Sequence, residues 1–282
     1  MTDLPAPGPH NLPEHEYHAH PAMSSTQARR ILPPKGCPAL VDHDRTHPEE
    51  QKDAWDLGTT VHKLILGKGT QLVEIPTDTW RTKGATQARD EARAEGHVAL
   101  LSKDMRIAEA MRDQIQAHPI AGHLLTPTTF LPEQCFFWAD PDTGIHRRAM
   151  LDATIPNPPS GRPIVIDVKT TQDASPDHIR KAVADFGYHQ QGAWYLDAIE
   201  SWTGTGLDPI FLLIFVSSKA PHLVTVAELD PETLDAGRHA NRAAINTWAR
   251  CQETSVWPGY DNTRIHTISL PPWATHTEED TL

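Results

Sequence analysis

The spacing of apolar residues changes several times along this chain, and the changes predict its elements. Residues 1 to about 21 show no period and are rich in Pro and His, which predicts a flexible arm. A short helix is expected from Ser24-Ser25, stopped before Pro33-Pro34. Across Pro48 to Leu66, Trp55, Thr59, His62 and Leu66 recur at helical spacing and share a face. Gly67-Lys68-Gly69 ends that helix. Leu72 to Ile75 reads as a short strand. Lys83 to Glu95 and Lys103 to His118 read as polar helices, the second N-capped by Ser102.

The pattern then becomes that of strands. Gln134 to Ala139 and Ile145 to Ile155 are expected to pair through the turn Asp140-Pro141-Asp142-Thr143-Gly144. Pro163 to Lys169 is a third strand, and its unbroken Ile164-Val165-Ile166 run predicts burial on both faces. Ser175-Pro176-Asp177 starts one helix, and a second spans about Tyr188 to Trp202. Ile210 to Ser217 and Leu223 to Leu229 are further strands, and Asp230-Pro231-Glu232 opens a last helix to about Cys251. This order predicts an α/β or α+β sheet flanked by helices. The 282 residues suit an arm at 1–20, one domain over 21–270 and an acidic tail at 271–282 holding Glu278, Glu279 and Asp280.

Composition narrows the class. No run of 18 apolar residues occurs, so no membrane helix is expected. The N-terminus lacks the basic start and apolar stretch of a signal peptide. Cys37, Cys135 and Cys251 are few and dispersed, which fits a reducing cytoplasm rather than a disulfide scaffold. The histidines match no zinc spacing. A net charge of −12 argues against bulk attraction to nucleic acid but leaves room for a local basic groove.

The chemistry concentrates around Asp167-Val168-Lys169. Two residues apart on a strand, Asp167 and Lys169 point to one face. Alone, they read as an ordinary ion pair at a strand end. Asp152, expected at the end of the neighbouring strand, would make with them an acidic pocket suited to a hard divalent cation such as Mg²⁺. Gln191 and Tyr195 share a helix face at i, i+4. His62, one turn after Gly58-Thr59, offers a nitrogen that would broaden tolerance toward Mn²⁺. The plain alternatives are a turn residue for Asp152, a buried polar pair for Gln191 and Tyr195, and a structural histidine for His62. Of the basic residues between Arg81 and Arg112, most read as a salt-bridged solvated face. Arg81, Lys83, Arg147 and Arg148 are the candidates for phosphate contact. Trp194 and Trp202 read as core.

Taken together, Gly58-Thr59-xx-His62, Asp152, Asp167-Val168-Lys169 and Gln191-xxx-Tyr195 resemble the RecB-type branch of the PD-(D/E)xK nucleases. Within it the chain is similar to the RecE-like, exonuclease VIII-like phage recombination exonucleases, as are Tyr17-His18-Ala19-His20-Pro21 and Asp167-Val168-Lys169-Thr170-Thr171 followed by Asp173. The resemblance spans roughly residues 17 to 202. It implies a restriction-endonuclease-like core with a central mixed sheet. It implies Asp152, Asp167, His62 and the Val168 carbonyl as metal ligands, and Lys169 as the group that positions the attacking water and steadies the phosphorane charge. Gln191 and Tyr195 would order the site, and Glu133 matches an acidic position before the first core strand. It also implies digestion of double-stranded DNA ends, 5′ to 3′, in a phage-infected bacterial cytoplasm, beside a single-strand annealing protein and in a homo-oligomeric ring. Leu151 replaces the Pro that precedes Asp in many relatives, and Asp167 stands where many have Glu. Iron–sulfur relatives cluster three cysteines near the C-terminus; this chain has Cys251 alone there, which argues against a cluster. Two other readings remain open: a structure-specific, repair- or CRISPR-associated RecB-like nuclease, and an inactive DNA-binding module of the same fold.

Overall fold

The computed structural model of the chain describes residues 5–6, 8–47, 53–204, 206–261, 263 and 265–270, with side chains in the helix from Asp53 described from residue 57 onward. In chain order the elements are α1 (Glu14–Ala19), β1 (Met23–Ser24), α2 (Ser25–Arg30), α3 (Pro38–Thr46), α4 (Asp53–Leu66), β2 (Leu72–Ile75), α5 (Lys83–Ala94), β3 (Val98–Leu101), α6 (Ser102–Ala117) and α7 (Ala121–Leu124). There follow β4 (Leu131–Ala139), β5 (His146–Ile155), β6 (Ile164–Thr171), α8 (Pro176–Phe186), α9 (Tyr188–Thr203), β7 (Ile210–Ser217), β8 (Val224–Glu228) and α10 (Pro231–Thr254).

The central sheet is mixed, as the family resemblance implied. β6 and β7 run parallel through eight paired positions, from Ile164↔Ile210 to Thr171↔Ser217. Their connection is long enough to hold α8 and α9, as a parallel crossover needs. β8 returns antiparallel on β7, and β4 returns antiparallel on β5. Period-two alternation sends Val165, Phe211, Leu213 and Phe215 into a core with α2, α8, α9 and α10. It sends Ile166, Val168, Ile214 and Val216 into a second core with α4 and α6. The apolar run of β6 is thus buried on both faces. A separate two-stranded parallel sheet, β2 with β3, carries α5.

Local chemistry sets the helix starts. Ser24 and Gln27 form a reciprocal capping box on α2. Ser175 caps α8 through the His178 N–H and Asp230 caps α10 through the Thr233 N–H, each with Pro in the first turn. Gly192 lets α9 approach β7: a Cβ there would lie 2.5 Å from Phe211 Cδ1.

Several expectations change. The stretch read as a flexible arm is docked along its described part: α1 places Tyr17 in a cluster with Ala22, Cys135 and Phe137, and His10 exchanges backbone hydrogen bonds with Cys135. One helical turn and one bridge leave no period to detect. Ser102 does not cap α6; its hydroxyl donates to Glu74, and Leu101 holds the cap position. α3 and β3 were not anticipated. Trp202 is 40% exposed at the end of α9 and is not core, whereas Trp194 is fully buried. Residues 48–52 of the first long helix, the side chain of Trp55 and the tail at 271–282 lie outside the described residues. Among the described residues no helix is long and apolar enough to cross a membrane.

Candidate active site

The site forms where two strands part. β4 occupies one edge of β5 along nearly its whole length. The other edge is shared: β6 pairs with Ala153 to Ile155, and β1 with Arg147 and Arg148. Between them that edge is unpaired, and Asp152 stands at the fork. The alternation of β5 also breaks there. Ala149 and Leu151 pack in one core and Ala153 in the other, although all three would share a face in a regular strand. Opposite the break, Glu133 of β4 has a left-handed φ of 49°, a strained conformation for a non-glycine residue. Asp152 is therefore not at a strand end, as the sequence suggested. Because β5 and β6 are antiparallel, it lies within β5 and reaches across the fork, where its Oδ2 accepts the Val168 N–H at 2.9 Å.

One face of β6 presents Asp167 and Lys169 toward α9. Asp167 is 1% exposed, and its Oδ2 meets the Lys169 ammonium in a close ion pair. Its Oδ1 accepts from Gln191 Nε2 at 3.0 Å, and the same amide nitrogen lies 2.8 Å from the Tyr195 hydroxyl. Burial raises the Asp167 carboxyl above its ordinary range; the Lys169 charge opposes this and the nearby Asp152 charge adds to it. For Lys169 burial acts downward, but the Asp167 and Asp152 carboxylates together outweigh it and the ammonium is held above its usual value. Tyr195 is pushed well up by burial and then by Asp167, so its hydroxyl keeps its proton. Tyr188, three residues before Gln191, places its ring 5.0 Å from Lys169 Nζ. The i, i+3 spacing of Tyr188 and Gln191 was the available sequence signal for it.

His62 comes from the opposite layer, on α4. Its Nε2 lies 2.8 Å from the Val168 carbonyl and its Nδ1 3.5 Å from Asp152 Oδ2. With the Nε2–H given to the carbonyl, the Nδ1 lone pair faces the carboxylate, an arrangement that a metal cation between them would relieve. A ligating histidine oriented by a backbone carbonyl has this geometry. The Val168 carbonyl thus serves first to orient the imidazole. A Cβ at Gly58 would meet Thr170 Oγ1 at an ordinary 3.6 Å.

Beyond Asp152 a cleft of about 960 Å³ opens, lined among others by Glu14, His18, Thr59, Lys68 and Glu133. Burial, then the charges of Glu14 and Asp152, raise Glu133. Glu14 is lowered, chiefly by its hydrogen bond with His18. Glu14 had no signal in the sequence, because it belongs to the stretch read as an arm.

The donors fit a hard divalent cation: carboxylates, a main-chain oxygen and one imidazole. After burial, the Asp152 charge raises both Asp167 and Glu133, so the two carboxyl groups lie near enough to Asp152 to be repelled by it. Among the described residues, no three His, Cys, Asp or Glu side chains close on one point as a metal-holding group. Asp152 and His62 face each other, while Asp167 turns to Lys169.

The basic candidates divide. Arg81 and Lys83 are exposed before and at the start of α5. Arg147 and Arg148 are corrected: both are buried, and neither can reach a phosphate. Arg147 pairs with Asp197 at 2.6 Å and lies between the rings of Trp138 and Trp194. Arg148 donates to the carbonyls of Tyr17, His18 and His20, which fastens the N-terminal segment to β5. Burial lowers the pKa of each guanidinium. Alternation on β5 explains their roles, since the two residues face opposite sides of a sheet covered on both.

Residues 24–265 match the model of a PDDEXK-like domain of unknown function, DUF3799. No curated protein matches the chain. Among solved structures, the fold is similar to the crystal structure of a “Putative exonuclease” from Eubacterium rectale. That likeness has a TM-score of 0.62 at 13% identity, over 93% of this chain and 97% of the other.

Proposed function

The chain belongs to the PDDEXK-like family DUF3799, and from that premise we propose that it is a metal-dependent deoxyribonuclease of the RecE-like kind. The observation that carries the reading is the assembly of Asp152, Asp167, Lys169 and Gln191 at the fork between β5 and β6. A carboxylate cluster with one ammonium is the equipment for hydrolysing an anionic ester.

Asp152, Asp167 and His62 would hold Mg²⁺, or Mn²⁺ in its place, with the Val168 carbonyl beside them. The cation, when bound, lowers the pKa of a water and neutralises phosphate charge. Hydrolysis joins a water oxygen to phosphorus, breaks the ester bond and leaves a proton on the departing oxygen. Lys169, clamped by Asp167 and the Tyr188 ring, supplies fixed positive charge where negative charge grows. Gln191 orients Asp167, and Tyr195, kept protonated, holds Gln191. Glu133 would face this centre from the cleft wall, near enough to Asp152 and His62 for their charges to act on it.

The substrate of this reading is the end of linear duplex DNA, resected 5′ to 3′ to leave a single-stranded tail for recombination. An annealing protein would receive the tail, and a ring of copies would enclose the duplex. Arg81 and Lys83 are the remaining predicted phosphate contacts. The test is digestion of linear and closed circular duplex with Mg²⁺ and with Mn²⁺, beside Asp167→Ala and Lys169→Ala. Loss of linear duplex by wild type alone, with circles spared, supports the reading. Equal inertness of wild type and variants overturns it; nicked circles replace the exonuclease with an endonuclease.

A further inference from the structure

With Arg147 and Arg148 buried, an acidic chain needs other cations to hold DNA near Lys169. They lie at the C-terminal end of α8. Lys35 Nζ donates to the Ala184 carbonyl at 3.0 Å and Arg29 Nη1 to the Phe186 carbonyl at 3.0 Å. Gly187 turns the chain there with φ 67°, and a Cβ on it would lie 2.9 Å from Lys35 Nζ and 3.1 Å from Arg29 Cδ. Both cations are therefore folded tightly over this turn. Among the described residues neither forms a close ion pair with a carboxylate, although the Asp185 charge acts on Lys35 and Arg29 also donates to the Ser25 carbonyl and the Thr26 hydroxyl, whereas many other surface arginines are paired. An ammonium has three donors, and only one of those of Lys35 is engaged by Ala184.

Aromatic rings continue from this turn into the site. Phe186 is 58% exposed, a large apolar side chain with one face open to water. Its ring stacks on Tyr188, with centroids 5.6 Å apart and planes 26° apart. The Tyr188 ring in turn lies against Lys169 Nζ. The same rings help line a cleft of about 710 Å³, together with Leu57, Trp80, Asp104 and Thr170. That is the size of a small-ligand pocket.

We propose that Phe186 and Tyr188, with Lys35 and Arg29 beside them, form a ledge that carries DNA as a single strand beside the cleavage centre. One base stacks on Phe186, and backbone phosphates lie against the two cations. An aromatic face needs an exposed base face, which every base of a single strand offers and a duplex offers only at its ends or at a kink, and interleaved rings and cations are how proteins hold single strands without reading sequence. The ledge deepens the nuclease reading and rests on it for its purpose, since it leads from solvent to the ammonium assigned to the phosphate.

The test is fluorescence anisotropy with the full chain in EDTA, where no cleavage occurs, against labelled oligothymidylate and a closed blunt duplex. Phe186→Ala is expected to weaken single-strand binding roughly tenfold and leave duplex binding nearly unchanged, while Phe186→Trp restores it. Lys35→Gln is expected to flatten the dependence of log affinity on log salt by about 0.7. Single-strand affinity unchanged in Phe186→Ala overturns the ledge. So does an equal loss for both DNAs, or a self-associated state that Phe186→Ala abolishes while DNA binding stays as it was. The two readings fail separately. Cleavage with an indifferent Phe186 removes the ledge alone; absent cleavage with the expected binding losses removes the nuclease alone.

Discussion

Replacing Lys169 by Met tests how the centre is held together. The substitution keeps the apolar stem and deletes the charge that faces Asp167. Removing one partner of a buried ion pair costs about 3–5 kcal/mol when the other charge must stay. Asp167 can escape part of that by taking a proton, which makes the loss depend on pH. Its carboxyl is already raised by burial, with Lys169 opposing and Asp152 adding. Without Lys169 the folded value rises further, while the unfolded value stays near ~3.9. Between those values the folded chain holds a proton that the unfolded chain has released. Stability therefore falls as pH rises, by at most about 1.4 kcal/mol per pH unit, and levels off above the folded pKa. Lys169 itself is raised, so its stabilising contribution is lost only in alkali, above its unfolded value of ~10.4, and does not blur the range from pH 5 to 8. The expected result is a loss of about 3 kcal/mol at pH 8 and a visibly smaller one at pH 5. The assay is urea unfolding in EDTA, followed by tryptophan fluorescence. Asp167→Asn combined with Lys169→Met removes both charges and should be more stable than Lys169→Met alone at pH 8. An equal loss at pH 5 and pH 8, or a double variant no better than the single one, would refute the reasoning.

Mg²⁺ at about ten times its dissociation constant should stabilise the fold by about 1.4 kcal/mol. That corresponds to a rise of about 3–6 °C in melting temperature; scanning calorimetry should show the rise and its loss in Asp152→Asn. Gly192→Ala forces a methyl to 2.5 Å from Phe211 Cδ1, inside a packed core. It should destabilise the chain by about 1–3 kcal/mol, read as a shifted urea midpoint. Arg148→Met leaves the carbonyls of Tyr17, His18 and His20 without their shared donor. Limited proteolysis should then clip the segment before Met23 sooner than in wild type, while the salt dependence of DNA binding stays unchanged. A flattened salt slope would return Arg148 to the DNA surface.

What the sequence alone determined was local or nearly so. The apolar run before Asp167, the continuous apolar run from Phe211 to Val216 and the capped starts at Ser175 and Asp230 are written in a few adjacent residues. So are the pairs at i, i+2 and i, i+4: Asp167 with Lys169, and Gln191 with Tyr195. Geometry within one element fixes which of these share a face, so they could be named before any fold was known. Tertiary structure decided what depends on pairing between elements. Strand direction placed Asp152 inside β5 rather than at its end, because an antiparallel neighbour brings mid-strand residues to the fork. A sheet covered on both sides took Arg147 and Arg148 from the surface, one against two tryptophan rings and one under the N-terminal segment. That segment looked unstructured because its order comes from Arg148 and Cys135, more than a hundred residues away. The aromatic and basic residues of the ledge are likewise separated in sequence, Arg29 and Lys35 from Phe186 and Tyr188, and only the approach of α2 and the loop after it to the end of α8 brings them together.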